Sequence, residues 1–348
     1  MSQFNHRALL FGFFAVASTF NAVHAAPKAK PKPKTATKTV VKPKAPQQNI
    51  LGMVPMSGVE GKIGQTYTVG GDSPLNFTLD SAEYTLERIN IGETATAPNK
   101  DEKLLVLRYT VHNPNKVERQ YDWATLNFTA VDAMNENREY IQAAGSKQSG
   151  QDLSTHLKPA QKVEAYTAIK VPAKGVIPKL IVKPSDGGGV IRYDLRTVVK
   201  TLVAPFTENG TTALEEINAQ RDTYYPLTDL DVKLIGTSYA NKLGDVEREE
   251  EQRFFVATVS MRNGTTTDKN YDWATITPQL FDVDGEEVAW PQAMLKTTRN
   301  ETADGTLKPG AEYTVRYYFM LPKNVNAKTL KLQEGESHIY SFDVSNTN

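Results

Sequence analysis

The chain has 348 residues, 40 basic and 40 acidic side chains, 39% hydrophobic residues and no cysteine. The missing cysteine excludes a disulfide framework, thiol catalysis, thiolate metal centres and a lipid anchor carried on a Cys. The balanced charge hides an uneven distribution, which organises the chain from its first residues onward.

Residues 1–25 read as a secretory signal peptide. Arg7 precedes the apolar stretch Ala8 to Phe20, and Val23 and Ala25 offer small residues for cleavage after Ala25. That stretch is shorter than the ~20 residues a membrane helix needs, so no transmembrane span is expected in the mature chain. The protein is therefore expected to be exported: periplasmic, cell-surface-associated or extracellular. Residues 26–47 form a Lys/Pro-rich linker, with seven lysines, five prolines and no acid between Ala26 and Pro46. Such a segment buries no apolar surface, and proline favours extended polyproline-II geometry, so a disordered arm is expected. The arm can act as a solvated spacer, or as a salt-sensitive electrostatic contact with an anionic surface such as envelope polymer or lipid. Without these lysines and Arg7, the remainder carries 32 basic against 40 acidic residues, which argues against nucleic acid as a partner.

The rest of the chain is built twice. Tyr121-Asp122-Trp123-Ala124-Thr125 returns 150 positions later as Tyr271-Asp272-Trp273-Ala274-Thr275. The same offset relates Asn113 to Asn263, Gln142-Ala143 to Gln292-Ala293, and Leu157-Lys158-Pro159 to Leu307-Lys308-Pro309. Two modules follow, over residues 48–198 and 199–348. Each shows period-2 alternation. Leu105, Leu107, Tyr109 and Val111 mark one face of a strand whose other face ends in Arg108, Thr110 and His112. Phe255, Ala257, Val259 and Met261 repeat that register. A later strand carries Ala165, Thr167, Ile169 and Val171 in one copy and Val315, Tyr317, Phe319 and Leu321 in the other.

Turn residues punctuate these strands. Lys308-Pro309-Gly310 has the Pro and Gly of a type II turn, whereas Ala160 in the first copy suits a type I turn. Phe281 to Val288 reads as a hairpin around Asp284-Gly285, with Pro278 placing its leading strand at an edge or bulge. Ala213 to Gln220 reads as a short helix. The fold class is all-β: two tandem immunoglobulin-like antiparallel sandwiches.

Each copy resembles the telokin-like immunoglobulin-like domains of exported bacterial proteins of unknown function. The resemblance rests on a strand ending in Asn (Val111-His112-Asn113; Met261-Arg262-Asn263), the aromatic corner, Asp282-Val283-Asp284-Gly285, the Leu-Lys-Pro-Gly turn, and a strand ending in Val/Leu-Pro. The first copy departs at Met134-Asn135 and at Ala160. The resemblance implies a non-catalytic exported module and transfers no active site.

The Tyr-Asp-Trp corner is the foremost candidate site. Tyr121, Trp123, Tyr271 and Trp273 could grip a partner bivalently, because Tyr and Trp are enriched at binding hot spots. The structural alternative has each Trp plugging a sandwich end while its Asp caps the turn. Asp282, Asp284 and Glu286 are weak calcium candidates, and Asp-Gly also accounts for itself as a turn. No His pair has zinc spacing, no nucleophile elbow or phosphate loop occurs, and no cofactor is expected. A non-enzymatic exported binding or adhesion protein follows, whose partner is envelope polymer or another extracellular protein. The loops Tyr140 to His156 and Trp290 to Thr306 would present binding surface. A structural spacer or layer component of the envelope is the alternative, and a glycan-acting hydrolase built on paired carboxylates is a remote one.

Overall fold

A computed structural model describes residues 58–203, 206 and 214–347. The expected signal peptide and Lys/Pro-rich linker lie outside these residues. The first half supplies β1 (Val59–Gly61), β2 (Thr66–Val69), β3 (Leu75–Thr85), β4 (Ile89–Ile91), β5 (Thr94–Thr96), β6 (Glu102–His112) and β7 (Arg119–Tyr121). It continues with β8 (Leu126–Val131), β9 (Asn137–Glu139), β10 (Gly145–Ser146), β11 (Thr155–Leu157), β12 (Lys162–Pro172), β13 (Lys179–Pro184) and β14 (Ile191–Asp194). The second half opens with β15 (Glu216–Ala219), β16 (Tyr225–Pro226), β17 (Leu230–Ala240), β18 (Gln252–Asn263), β19 (Lys269–Tyr271) and β20 (Thr277–Asp282). It closes with β21 (Glu287–Val288), β22 (Met294–Lys296), β23 (Gly305–Leu307), β24 (Glu312–Pro322), β25 (Ala327–Gln333) and β26 (Ile339–Asp343).

These strands form two β-sandwiches. In the first, the sheet β1-β14-β13-β8-β9 faces the sheet β10-β12-β6-β3-β2, and in the second β15-β26-β25-β20-β21 faces β16-β17-β18-β24-β22. Side chains from both sheets meet between them, as where the rings of Tyr109 and Phe128 lie 5.0 Å apart. Register repeats with the sequence offset: Val111 faces Val163, and Met261 faces Tyr313. The predicted inward residues Leu105, Leu107, Tyr109 and Val111 are all buried. Leu104 and Val106, on the opposite face, are buried too, beneath a satellite cluster with Ile89 of the β4–β5 hairpin. Phe254 and Val256 repeat the arrangement under Leu243 and Val246. β6 and β18 are thus apolar on both faces where a connection folds over them.

Three expectations are corrected. Glu216 to Ala219 is a strand, not part of a helix; among the described residues helical backbone occurs at Leu214 and Glu215 alone. With Ile217 alone buried among these four, the segment lacks a helix stripe, and it pairs parallel to β26 to close that sheet's edge. Parallel pairing also joins β1 to β14, so neither sandwich is wholly antiparallel. Ala160 has φ 62°, the left-handed value Gly310 takes at φ 72°, so the two turns share one conformation. In each, the residue after it donates to the Lys carbonyl, Gln161 to Lys158 at 3.0 Å and Ala311 to Lys308 at 2.9 Å. Pro278 sits as expected: β21 pairs only with Leu280 and Phe281, leaving the Pro278 position open on that side.

The sandwiches belong to one compact unit, Pro55–Asn348. Arg88 plugs the first into the second. Its Nε donates to the Thr228 carbonyl at 2.7 Å, Nη2 to Leu227 and Leu230 carbonyls at 3.0 and 3.1 Å, and Nη1 to Asp231 at 3.1 Å. Asn90 donates to the Gly264 carbonyl, and Thr266 to the Gly92 carbonyl. A Cβ on Gly264 would come within 1.8 Å of Arg88 Nη1, so any side chain there would displace the guanidinium from its present place. Leu86 and Ala173 of the first sandwich join the core of the second.

His338 is buried at this junction, its Nδ1 bonded to the Leu214 carbonyl. Burial lowers its pKa, against the pull of the Leu214 and Glu102 carbonyls and of the Asp101 and Glu102 charges. A depressed histidine contributes stability in full above its ordinary pKa of ~6.5, and that contribution is lost as pH falls. Glu87 and Glu334, raised chiefly by burial, act in the opposite sense: their contribution is present at low pH and is lost as pH rises through their folded pKa values. Thermal melts should therefore show that, between pH 7 and pH 5, His338→Gln loses less stability than the parent protein does. Two turn substitutions test the left-handed residues in the same assay. Gly310→Ala should cost about 1 kcal/mol, and Ala160→Gly should gain from a few tenths to about 1 kcal/mol.

Candidate functional site

Each aromatic corner is an Asx turn. Asp122 Oδ1 accepts from the Ala124 N–H at 3.0 Å and from the Thr125 hydroxyl at 2.9 Å. Asp272 repeats both bonds with Ala274 and Thr275 at 2.9 and 3.2 Å. The Asp therefore caps its own backbone as the sequence implies. The aromatic roles are the reverse of the plug expectation. Tyr121 is 0% exposed, and its hydroxyl donates to Tyr109 at 3.0 Å in the core, whereas Trp123 is 40% exposed. Tyr271 is likewise buried, its ring 5.4 Å from that of Tyr313 and tilted by 36°, and Trp273 is 39% exposed. Alternation explains this: Tyr ends the strands β7 and β19 pointing inward, and two residues later the chain has already turned along the surface.

The corners differ at one partner. Tyr140 donates to the Trp123 carbonyl at 2.9 Å, tying the first corner to the chain beyond β9. Its counterpart is Trp290, whose ring lies 6.2 Å from Trp273 at 58° and 6.1 Å from buried Tyr317. The second corner is thus a three-ring cluster with Trp273 outermost. Burial pushes the phenols of Tyr121, Tyr271 and Tyr317 up, so none supplies a phenolate at neutral pH.

The expected binding loops are pinned. Tyr140 to His156 contributes β10 against β12 and β11 against β7, and Trp290 to Thr306 contributes β22 and part of β23. Gln142 and Gln292 both hold positive φ, 51° and 53°, which accounts for the repeated Gln-Ala as a shared turn.

The acidic hairpin is a turn in both copies. Asp282 Oδ1 accepts from the Asp284 and Glu286 N–H groups, both at 2.9 Å, and Gly285 takes φ 86°. Asp132 does the same for Met134 and Glu136, with Asn135 at φ 64° in place of the glycine. Burial raises the Asp132 pKa, but these amide donors and Arg138 outweigh it and hold the carboxyl below its usual range. Among the described residues no three His, Asp or Glu side chains come together as a metal site. A concavity of about 720 Å³ beside β1 and β14 is lined by Lys62, Lys179 and Arg192 together with Glu60 and Asp194. Asp194 there is held at a pKa of about 2 by its bonds to Arg196.

No protein family profile and no curated protein matches the chain. Several solved structures do. An uncharacterized β-sandwich protein from Clostridium difficile covers 37% of this chain and 93% of its own length, with 11% identity and a TM-score of 0.29. A secreted protein of Mycobacterium tuberculosis covers 40% of this chain and 98% of its own length, with 12% identity and a TM-score of 0.30. The yjhA protein of Bacillus subtilis covers 38% and 97%, with 18% identity and a TM-score of 0.27. Among the described residues no helix is long and apolar enough to cross a membrane.

The burial contrast predicts an order of stability costs. Tyr121→Ala should lose about 3–5 kcal/mol, the range for a buried aromatic, and Trp123→Ala about 2 kcal/mol. Urea unfolding of the two variants checks the order; equal losses would restore the tryptophan plug.

Proposed function

We propose that this chain is a non-catalytic, exported binding protein of the cell envelope, made of two telokin-like sandwiches derived from one module, and that it holds its partner through the Trp123 and Trp273 corners. The carrying observation is the exposure of both indoles, 40% and 39%, on turns rigidified by Asp122 and Asp272. A tryptophan that the core does not use, presented on a fixed turn, gives contact area at low entropic cost. Two such corners in one compact unit bind with the effective concentration of a linked pair. The leader-like residues 1–25 and the lysine-proline stretch support export and a tether. A spacer role draws on a different observation, the Arg88 junction, which fixes one sandwich against the other.

The test uses the exported full chain and isolated envelope preparations in a sedimentation assay. Trp123→Ala/Trp273→Ala should keep a single cooperative unfolding transition and lose at least ~10-fold in retention, with each single variant between. Full retention by the double variant would refute the corner reading, and salt-sensitive release on deleting residues 26–46 would place the contact in the arm.

A further inference from the structure

The outward face of the β2-β3-β6-β12 sheet carries a row of four polar side chains placed side by side by strand register: Thr68, Asn76, His112 and Lys162. Its hydrogen bonds run in one direction. The Thr68 hydroxyl donates to Asn76 Oδ1 at 3.0 Å, which orients the amide, and Asn76 Nδ2 donates to His112 Nδ1 at 3.1 Å. A neutral imidazole that accepts at Nδ1 carries its proton on Nε2. The row therefore ends in a ring N–H and, on the next strand, the Lys162 ammonium. Neither group has a hydrogen-bond or ion-pair partner among the described residues. Both side chains line a concavity of about 220 Å³ with Thr66, Asn76, Thr78 and Thr110. At ~30 Å³ per water this holds roughly seven waters.

The second sandwich shows what the same row looks like when it is satisfied. There the register sets Asp231, Arg262 and Glu312 side by side. Arg262 donates twice to Asp231 Oδ2, at 3.1 and 2.8 Å, and Arg88 covers Asp231 Oδ1. With Arg88 counted, two guanidinium groups balance the two carboxylates, and Asp231 is bonded to both. In the first sandwich amide, imidazole and ammonium stand in their places, and the row holds no carboxylate. Two carboxylates border the row and both are engaged: Asp80 accepts from Thr110, a lining residue, at 2.8 Å, and Glu164 pairs with Lys147.

The geometry points to a binding site for an oxyanion, carboxylate or phosphate, borne on a polyhydroxylated chain. His112 and Lys162 donate to the anion, and the hydroxyls of Thr66, Thr78 and Thr110 exchange hydrogen bonds with the ligand's hydroxyl groups. The site shares no residue with the tryptophan corners and stands whether or not they bind.

Calorimetric titration of the full chain with inorganic phosphate, poly(glycerol phosphate) and polygalacturonate tests it. At low salt at least one probe binds, and Lys162→Gln weakens that binding at least ~10-fold, as expected for loss of a charge-assisted bond. Asn76→Asp, which restores the carboxylate of the second sandwich, weakens it likewise with an unchanged thermal midpoint. Lys147→Gln removes a paired lysine from the same sheet and should change affinity by less than about 2-fold. Preference for the phosphate polymer, the uronate polymer or free phosphate identifies the ligand's source. Trp123→Ala/Trp273→Ala retains this binding, so a failed corner leaves the site intact. Absence of binding by all three probes, or equal losses in Lys147→Gln and Lys162→Gln, would overturn the assignment.

Discussion

Asn113, just after β6, and Asn263, the last residue of β18, carry buried amides, and each amide joins three stretches of chain that would otherwise diverge. Asn113 Nδ2 donates to the Val117 and Leu157 carbonyls, both at 2.8 Å, while Oδ1 accepts from the Asn115 N–H at 3.0 Å. Asn263 repeats the pattern with Thr267, Leu307 and Thr265 at 2.7 to 2.9 Å. The main-chain carbonyl of the same residue accepts from Ala160 or Gly310, which seats the left-handed turn. A buried amide with donors and acceptor all engaged is a rigid joint, because each bond lost would leave a desolvated group. The direction in which the chain leaves for β7 or β19, and so the place of the tryptophan turn, follows from that joint.

The Arg88 socket works at the next level. Four bonds from one guanidinium, three of them to main-chain carbonyls, hold a side chain that is only 3% exposed. A planar fork suits this ring of carbonyls as an ammonium would not. The charge of Asp231 is shared between Arg88 and Arg262, so both arginines depend on one buried carboxylate.

Much of this was legible in the residues because the repeat acts as an internal control. A letter kept at Asn113 and Asn263, or at Gln142 and Gln292, marks a backbone requirement, and the structure shows a joint in one case and positive φ in the other. What the repeat could not convey lies where the copies differ. Ala160 hides its left-handed conformation because alanine gives no sign of it. Glu215, Glu216 and Ala219 are good helix formers, yet an open sheet edge beside β26 takes the segment as a strand, a tertiary demand that propensity does not see. Trp123 was misplaced for another reason: composition gives a tryptophan's size, and only the path of the chain after Tyr121 says which way it points. The Thr68 to Lys162 row joins four strands from distant parts of the sequence, so no local pattern could assemble it.

The bare backbone at Gly264 fixes where the arginine of the junction can be received. The arginine of the junction reaches its carbonyls only because no side chain stands there. At the matching place in the first sandwich the chain has Pro114, and Asn76 replaces the carboxylate of Asp231. The first sandwich therefore lacks both the bare backbone and the carboxylate with which the second receives Arg88.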